Sequence, residues 1–85
     1  MRSTNFTAEA WADYVHWKGH DENRLKRINL LIDATQRSPF DGIGKPEPLQ
    51  GDLSGYWSRR IDQINRLVYA VNGKVLIIVS CRYHY

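Results

Sequence analysis

At 85 residues the chain is too short for two hydrophobic cores and long enough for one, so a single domain spanning residues 1–85 is expected. No apolar stretch has signal-peptide or membrane-spanning length, which points to a cytoplasmic protein with no membrane partner. The lone cysteine, Cys81, excludes an intramolecular disulfide and, lying in an apolar run, reads as a buried thiol. The net charge of +3 is uneven: residues 1–52 carry seven Lys/Arg against eight Asp/Glu, and residues 53–85 carry five against one. That imbalance is compatible with an anionic partner and equally with a solvated basic face.

In chain order, Thr7 is placed to cap a helix with Glu9 in its first turn and Trp11, Tyr14 and Val15 at helical spacing, ending at Gly19. A second helix starts at Asp21, carries the stripe Leu25, Ile28, Leu31, Ile32 and Thr35, and stops before Ser38-Pro39. A short Gly-His connection should fold the two into a hairpin whose apolar side needs a sheet. From Phe40 to Pro48, glycines and two prolines flanking Glu47 prevent helix and stiffen the segment. Three strand-like runs follow: Tyr56 to Ile61, Arg66 to Val71, and Val75 to about Tyr83.

Asn72-Gly73 marks a hairpin between the last two strands. A two-residue turn pairing Val71 with Lys74 puts Arg66 and His84 on opposite faces. A three-residue turn pairing Val71 with Val75 segregates side chains better and is preferred. It sets Leu67, Tyr69, Val71, Val75, Ile77, Val79, Cys81 and Tyr83 on the core face and Arg66, Ser80, Arg82 and His84 on the other, with Arg60 beside them if the preceding turn keeps the parity.

That open face suits RNA: arginines can bind phosphate through paired hydrogen bonds, and nearby rings can stack on bases. Taken alone, the same arginines could merely solvate a sheet, His84 could be a frayed end, and Glu47 an ordinary loop carboxylate. His16 and His20 have i, i+4 spacing but no evident third ligand, so no metal is expected. The glycines form no phosphate-binding loop, and Ser80 with His84 lacks a nucleophile elbow; no cofactor is expected.

The segments Ser38-Pro-Phe-Asp-Gly-Ile-Gly-Lys-Pro-Glu-Pro-Leu49, Leu53-Ser-Gly-Tyr-Trp-Ser-Arg-Arg-Ile61, Asn65-Arg-Leu-Val-Tyr69 and Cys81-Arg-Tyr-His-Tyr85 together resemble the YoeB/Txe family of toxins. The resemblance spans nearly the whole chain and implies an α+β, RelE-like fold: two N-terminal helices packed on a mainly antiparallel twisted β-sheet, with a short strand around Ser3 to Phe6. It implies a toxin that cleaves messenger RNA in the ribosomal decoding site and is held inactive by a YefM-like antitoxin, with homodimers also suggested. By position it implies Glu47 as general base, Arg66 as phosphate-stabilising cation, His84 as general acid and Tyr85 as an aid to substrate or leaving-group placement. Lys45, Arg60 and Arg82 are the candidates for further RNA contact. Two positions depart from the family pattern: Gln50 replaces a frequent basic residue, and Ile64-Asn65 replaces an acidic-His pair.

The chemistry is coherent without the resemblance. Metal-free RNA cleavage needs a base for the 2′-OH proton, a cation for the charge on phosphorus and an acid for the departing 5′-oxygen. The alternative from another class is a non-catalytic inhibitor of DNA gyrase on the same fold, similar to the ParE toxins, against which Glu47 and the Tyr-His-Tyr end argue. A third is a regulator that acts only with its antitoxin on operator DNA.

Overall fold

The computed structural model describes residues 2–83. Strand β1 (Ser3–Phe6) is followed by helices α1 (Ala8–His20) and α2 (Glu22–Arg37), then by β2 (Glu47–Pro48), a 3₁₀ turn (Gly51–Leu53), β3 (Trp57–Arg60), β4 (Arg66–Asn72) and β5 (Val75–Ser80). Among these residues five strands form a sheet in the order β1-β5-β4-β3-β2; β1 runs parallel to β5 and the other neighbours are antiparallel. The helices pack on one face of the sheet, giving the expected α+β architecture of two N-terminal helices on a mainly antiparallel sheet.

Thr7 caps α1 as expected, its Oγ1 accepting from the Ala10 amide. The helix does not stop at Gly19. It runs through His20, and the extended residue Asp21 both closes it and opens the next: the Asp21 amide donates to the Trp17 carbonyl, while its carboxylate accepts from the Arg24 amide. The expected Gly-His connector is therefore helical. On α2 the predicted stripe is the buried one, with Ile28, Leu31 and Thr35 buried and Leu25 and Ile32 packed beside them.

The inner side of α1 is rotated from the expected positions. Ala10 and Trp17 are buried, whereas Trp11 and Val15 remain 54% and 48% exposed. Trp11 stacks instead on Tyr14, and both meet the edge of Phe6.

The β4–β5 hairpin follows neither anticipated register. Asn72 pairs with Val75 across a two-residue Gly73-Lys74 turn, with Gly73 at φ 61, a conformation glycine adopts without a Cβ clash. This puts Val71 opposite Leu76 and Tyr69 opposite Ile78, so Leu76 and Ile78, not Val75, Ile77 and Val79, face the helices. A bulge then shifts the pairing so that Val68 meets Ser80. Beyond it Cys81 falls on the core side with Leu67, as the preferred register had it. The carbonyl at the bulge, that of Val79, accepts from the Thr7 hydroxyl at 2.9 Å.

Past Ser80 the chain leaves the ladder, and α1 takes over the polar groups of Cys81. The Cys81 amide donates to the Asp13 carboxylate at 3.1 Å, and the Cys81 carbonyl accepts from the Trp17 indole at 2.8 Å. Burial, with the Asp13 charge adding to it, pushes the thiol up to about 12, in keeping with the buried, inert cysteine expected. Tyr83, expected in the strand on the core face, is instead 54% exposed and has φ 60. No helix among the described residues is long and apolar enough to cross a membrane.

Candidate active site

Strand alternation fixes the sheet face opposite the helices. Glu47 of β2 pairs with Ser58 of β3, Ser58 with Val68 of β4, and Val68 with Ser80 of β5, a row running across four strands. One step along, Arg60 pairs with Arg66. Glu47 is therefore not on a free loop: its prolines hold a short edge strand whose ladder is continued by the Leu49 amide donating to the Tyr56 carbonyl.

Arg66 Nη1 donates to Glu47 Oε1 at 2.5 Å and to Ser58 Oγ at 3.3 Å. The guanidinium side chain is mostly sheltered, 18% exposed, while the Glu47 side chain is 51% exposed. A fixed cation beside an accessible carboxylate is the minimum needed to hold an anion and take up a proton. Among the described residues, Arg66 hydrogen-bonds through Nη1 alone.

Arg60 is exposed, with its backbone tied on both sides: its amide donates to the Gly44 carbonyl and its carbonyl accepts from Arg27. Arg82 lies over the Tyr83 ring at 4.8 Å and donates to the Tyr83 hydroxyl at 2.9 Å. Lys45 is exposed, two residues before Glu47, with φ 51. His84 and Tyr85 lie outside the described residues. His16 and His20 stack at 4.5 Å, and no group of three or more metal-ligating side chains occurs among the described residues.

Two features behind the site escape a reading of the sequence. Arg59, one residue before Arg60, points to the opposite face and is wholly buried. Among the described residues it pairs with no carboxylate. Its guanidinium donates to the carbonyls of Ser38, Asp41 (2.9 Å) and Ile43 (3.0 Å) and to the Tyr69 hydroxyl (3.3 Å), and that hydroxyl donates to the Pro39 carbonyl. The loop between α2 and β2 is thereby wrapped around one cation. Gly44 sits against the same residue, where a Cβ would come within 2.8 Å of Leu31 Cδ2 and 3.1 Å of Arg59 Cβ.

The second feature is the β3–β4 turn. Asp62 accepts from the amides of Ile64 (2.8 Å) and Asn65 (2.7 Å), from the Asn65 side chain, and from Arg24 of α2 at 2.5 Å. Burial alone would raise the Asp62 carboxyl. The Asn65 amide and side chain, Arg24 and the Ile64 amide outweigh it and hold the group at about 2, against 3.8 unperturbed.

A carboxyl depressed on folding stabilises the native state above its unfolded pKa, and that contribution disappears as pH falls through the folded value. Asp62→Asn should therefore be less stable than the parent at pH 7, by on the order of 1–2 kcal/mol after solvent screening. The difference should shrink between about pH 5 and pH 2. Denaturant midpoints of the two proteins across that range check this, and a pH-independent gap would contradict it.

Solved structures similar to this chain include toxins. The "YoeB/ParE toxin from Agrobacterium tumefaciens" superposes with a TM-score of 0.93 at 45% identity, covering 98% of this chain and 99% of that one. A chain of the heterotetrameric YoeB–YefM toxin–antitoxin complex from Staphylococcus aureus gives 0.91 at 41% identity, covering 100% and 99%. The fold is thus that of the RelE-like toxins. The sequence model described as "YoeB-like toxin of bacterial type II toxin-antitoxin system" matches residues 6–85, and the "Toxin YoeB" of Streptomyces coelicolor is 60% identical over 85 residues, the full length of both chains. The chain belongs to the YoeB-like toxins of bacterial type II toxin–antitoxin systems.

Proposed function

We propose that this toxin is a ribosome-dependent endoribonuclease that cuts messenger RNA in the decoding site by metal-independent acid–base chemistry. The observation carrying the reading is the Glu47–Arg66 pair, an accessible carboxylate 2.5 Å from a sheltered guanidinium on the sheet face away from the helices.

In this reaction Glu47 takes the proton from the 2′-OH as that oxygen attacks phosphorus. Arg66 balances the charge gathering on the phosphoryl oxygens, and His84 gives a proton to the 5′-oxygen as the P–O5′ bond breaks. The products are a 2′,3′-cyclic phosphate and a 5′-hydroxyl. Tyr85 assists placement of the substrate or leaving group, and Lys45, Arg60 and Arg82 supply further phosphate contacts. A YefM-like antitoxin with an acidic segment restrains the toxin by covering this basic face. The S. aureus relative assembled with its YefM supports such a partner.

The test is 5′-end mapping of messenger in a ribosome-containing reaction, with the parent protein and His84→Ala side by side. Cuts at fixed codon positions that need ribosomes and fall by about 10²–10⁴-fold in the variant are expected. DNA damage after expression with no codon-positioned cuts would replace this reading with gyrase inhibition of the ParE kind.

A further inference from the structure

Next to the proposed site the Asn65 side chain is hydrogen-bonded at both of its ends, although the residue has no part in the acid–base scheme. Its side chain is one link in a chain of contacts that starts on α2 and ends at the last described residue. Arg24 holds Asp62, Asp62 accepts twice from Asn65 Nδ2 at 3.0 and 3.2 Å, and Asn65 Oδ1 accepts from the Tyr83 amide at 2.7 Å. The Arg66 amide then donates to the Tyr83 carbonyl at 2.8 Å. Both backbone polar groups of Tyr83 are thus held by two consecutive residues, Asn65 and Arg66.

The orientation of the Asn65 amide is forced. A carboxylate only accepts, so Nδ2 must face Asp62; a peptide N–H only donates, so Oδ1 must face Tyr83. Asn65 is 6% exposed, which leaves little water to substitute for either partner. What it holds is unfavourable by itself: Tyr83 has φ 60, a left-handed conformation that side chains other than Gly, Asn and Asp seldom occupy without external support. The Tyr83 ring supplies none from the core, since the residue is 54% exposed.

We propose that Asn65 is a positioning residue, which relays the Arg24–Asp62 anchor to the Tyr83 backbone and so sets the course on which the chain leaves the sheet toward His84 and Tyr85. This rests on the reading of His84 as the acid. The relay works because one side of Asn65 donates and the other accepts. A neutral imidazole keeps both capacities, an alanine neither, and an aspartate would face Asp62 with a second carboxylate.

The experiment compares the full-length parent with Asn65→Ala and Asn65→His. It follows amide hydrogen exchange of Tyr83 together with cleavage kinetics in the ribosome-containing reaction. In Asn65→Ala, Tyr83 exchange should rise about tenfold, the scale of one lost buried hydrogen bond, while the amides of Leu67, Tyr69 and Ile78 keep their protection. kcat should fall by roughly 10–10²-fold, as expected when a catalytic group is misplaced, with KM little changed. Asn65→His should restore both. Unchanged Tyr83 exchange in Asn65→Ala overturns the proposal, as does faster exchange with full cleavage. So does loss of protection throughout the core, which would make the role purely structural. A parent protein that cuts no messenger fails the reading of the site instead, and the exchange measurement alone then decides whether Asn65 holds the tail.

Discussion

Replacement of Arg66 by alanine should lower cleavage of ribosome-bound messenger by about 10²–10⁴-fold and leave the fold intact. The size follows from the charge the side chain must balance. One preorganised donor on a developing oxyanion is worth roughly 10²–10³ in kcat, and loss of a full cation exceeds the loss of a neutral donor. The intact fold follows from the surroundings. Arg66 contacts Glu47 and Ser58, and the Glu47 carboxylate is half exposed and can turn to water. The stability change should therefore stay within about 1 kcal/mol. Arg66→Lys should recover only part of the rate, because a point charge cannot make the guanidinium's two parallel hydrogen bonds. Single-turnover cleavage with thermal unfolding on the same samples separates these quantities. Full activity in Arg66→Ala would remove Arg66 from the chemistry, and an unfolded variant would show that the pair is structural.

The largest stability effect is expected at Arg59. Its guanidinium serves four oxygens in a wholly buried setting, and Arg59→Met keeps the apolar stem while leaving the carbonyls of Ser38, Asp41 and Ile43 short of their donor. Each buried acceptor stranded this way costs about 1–3 kcal/mol, reduced here because the loop can open to water. A net loss of about 3 kcal/mol is expected. For a domain of this size that is a fall in Tm on the order of 15 °C. Activity should drop even where the protein remains folded, because the unwrapped loop runs directly into Glu47. Denaturant and thermal midpoints test this, and an Arg59→Met protein within about 0.5 kcal/mol of the parent would show the arginine to be dispensable.

Why Arg60 was legible in the sequence and Arg59 was not is a matter of where the partners come from. Alternation along Trp57-Ser58-Arg59-Arg60 puts neighbouring arginines on opposite faces, but it does not say what waits on either side. A buried arginine without a carboxylate is plausible only once a loop turns its carbonyls inward, and the glycines and prolines of residues 38–48 announce a turn without announcing its curvature. The stripe on α2 was readable because a 3.6-residue period separates its apolar and polar sides cleanly. α1 carries aromatic residues on more than one side, so spacing alone favoured Trp11 and Val15 over the residues that are buried.

The phase of β5 was hidden for a similar reason. Val75-Leu76-Ile77-Ile78-Val79 is apolar at every position, so the parity that favoured pairing Val71 with Val75 rested on the polar residues beyond the bulge, and the bulge leaves no mark in composition. Glu47 and Arg66 could be nominated from residue type and resemblance. Their meeting depends on two successive antiparallel pairings, β2 with β3 and β3 with β4, that no local signal encodes.

The bulge at Val79 also makes the two ends of β5 independent of each other. The hairpin end is set by the Gly73 turn, whereas beyond Val79 the strand is offset by one residue and answers to α1 through Cys81. Straightening the ladder there while keeping every residue would send Cys81 outward and bring Arg82 against the helices without disturbing the turn. Apart from Gly73, the tip of the hairpin can thus accept substitutions, while the stretch after Ser80 tolerates no change of length.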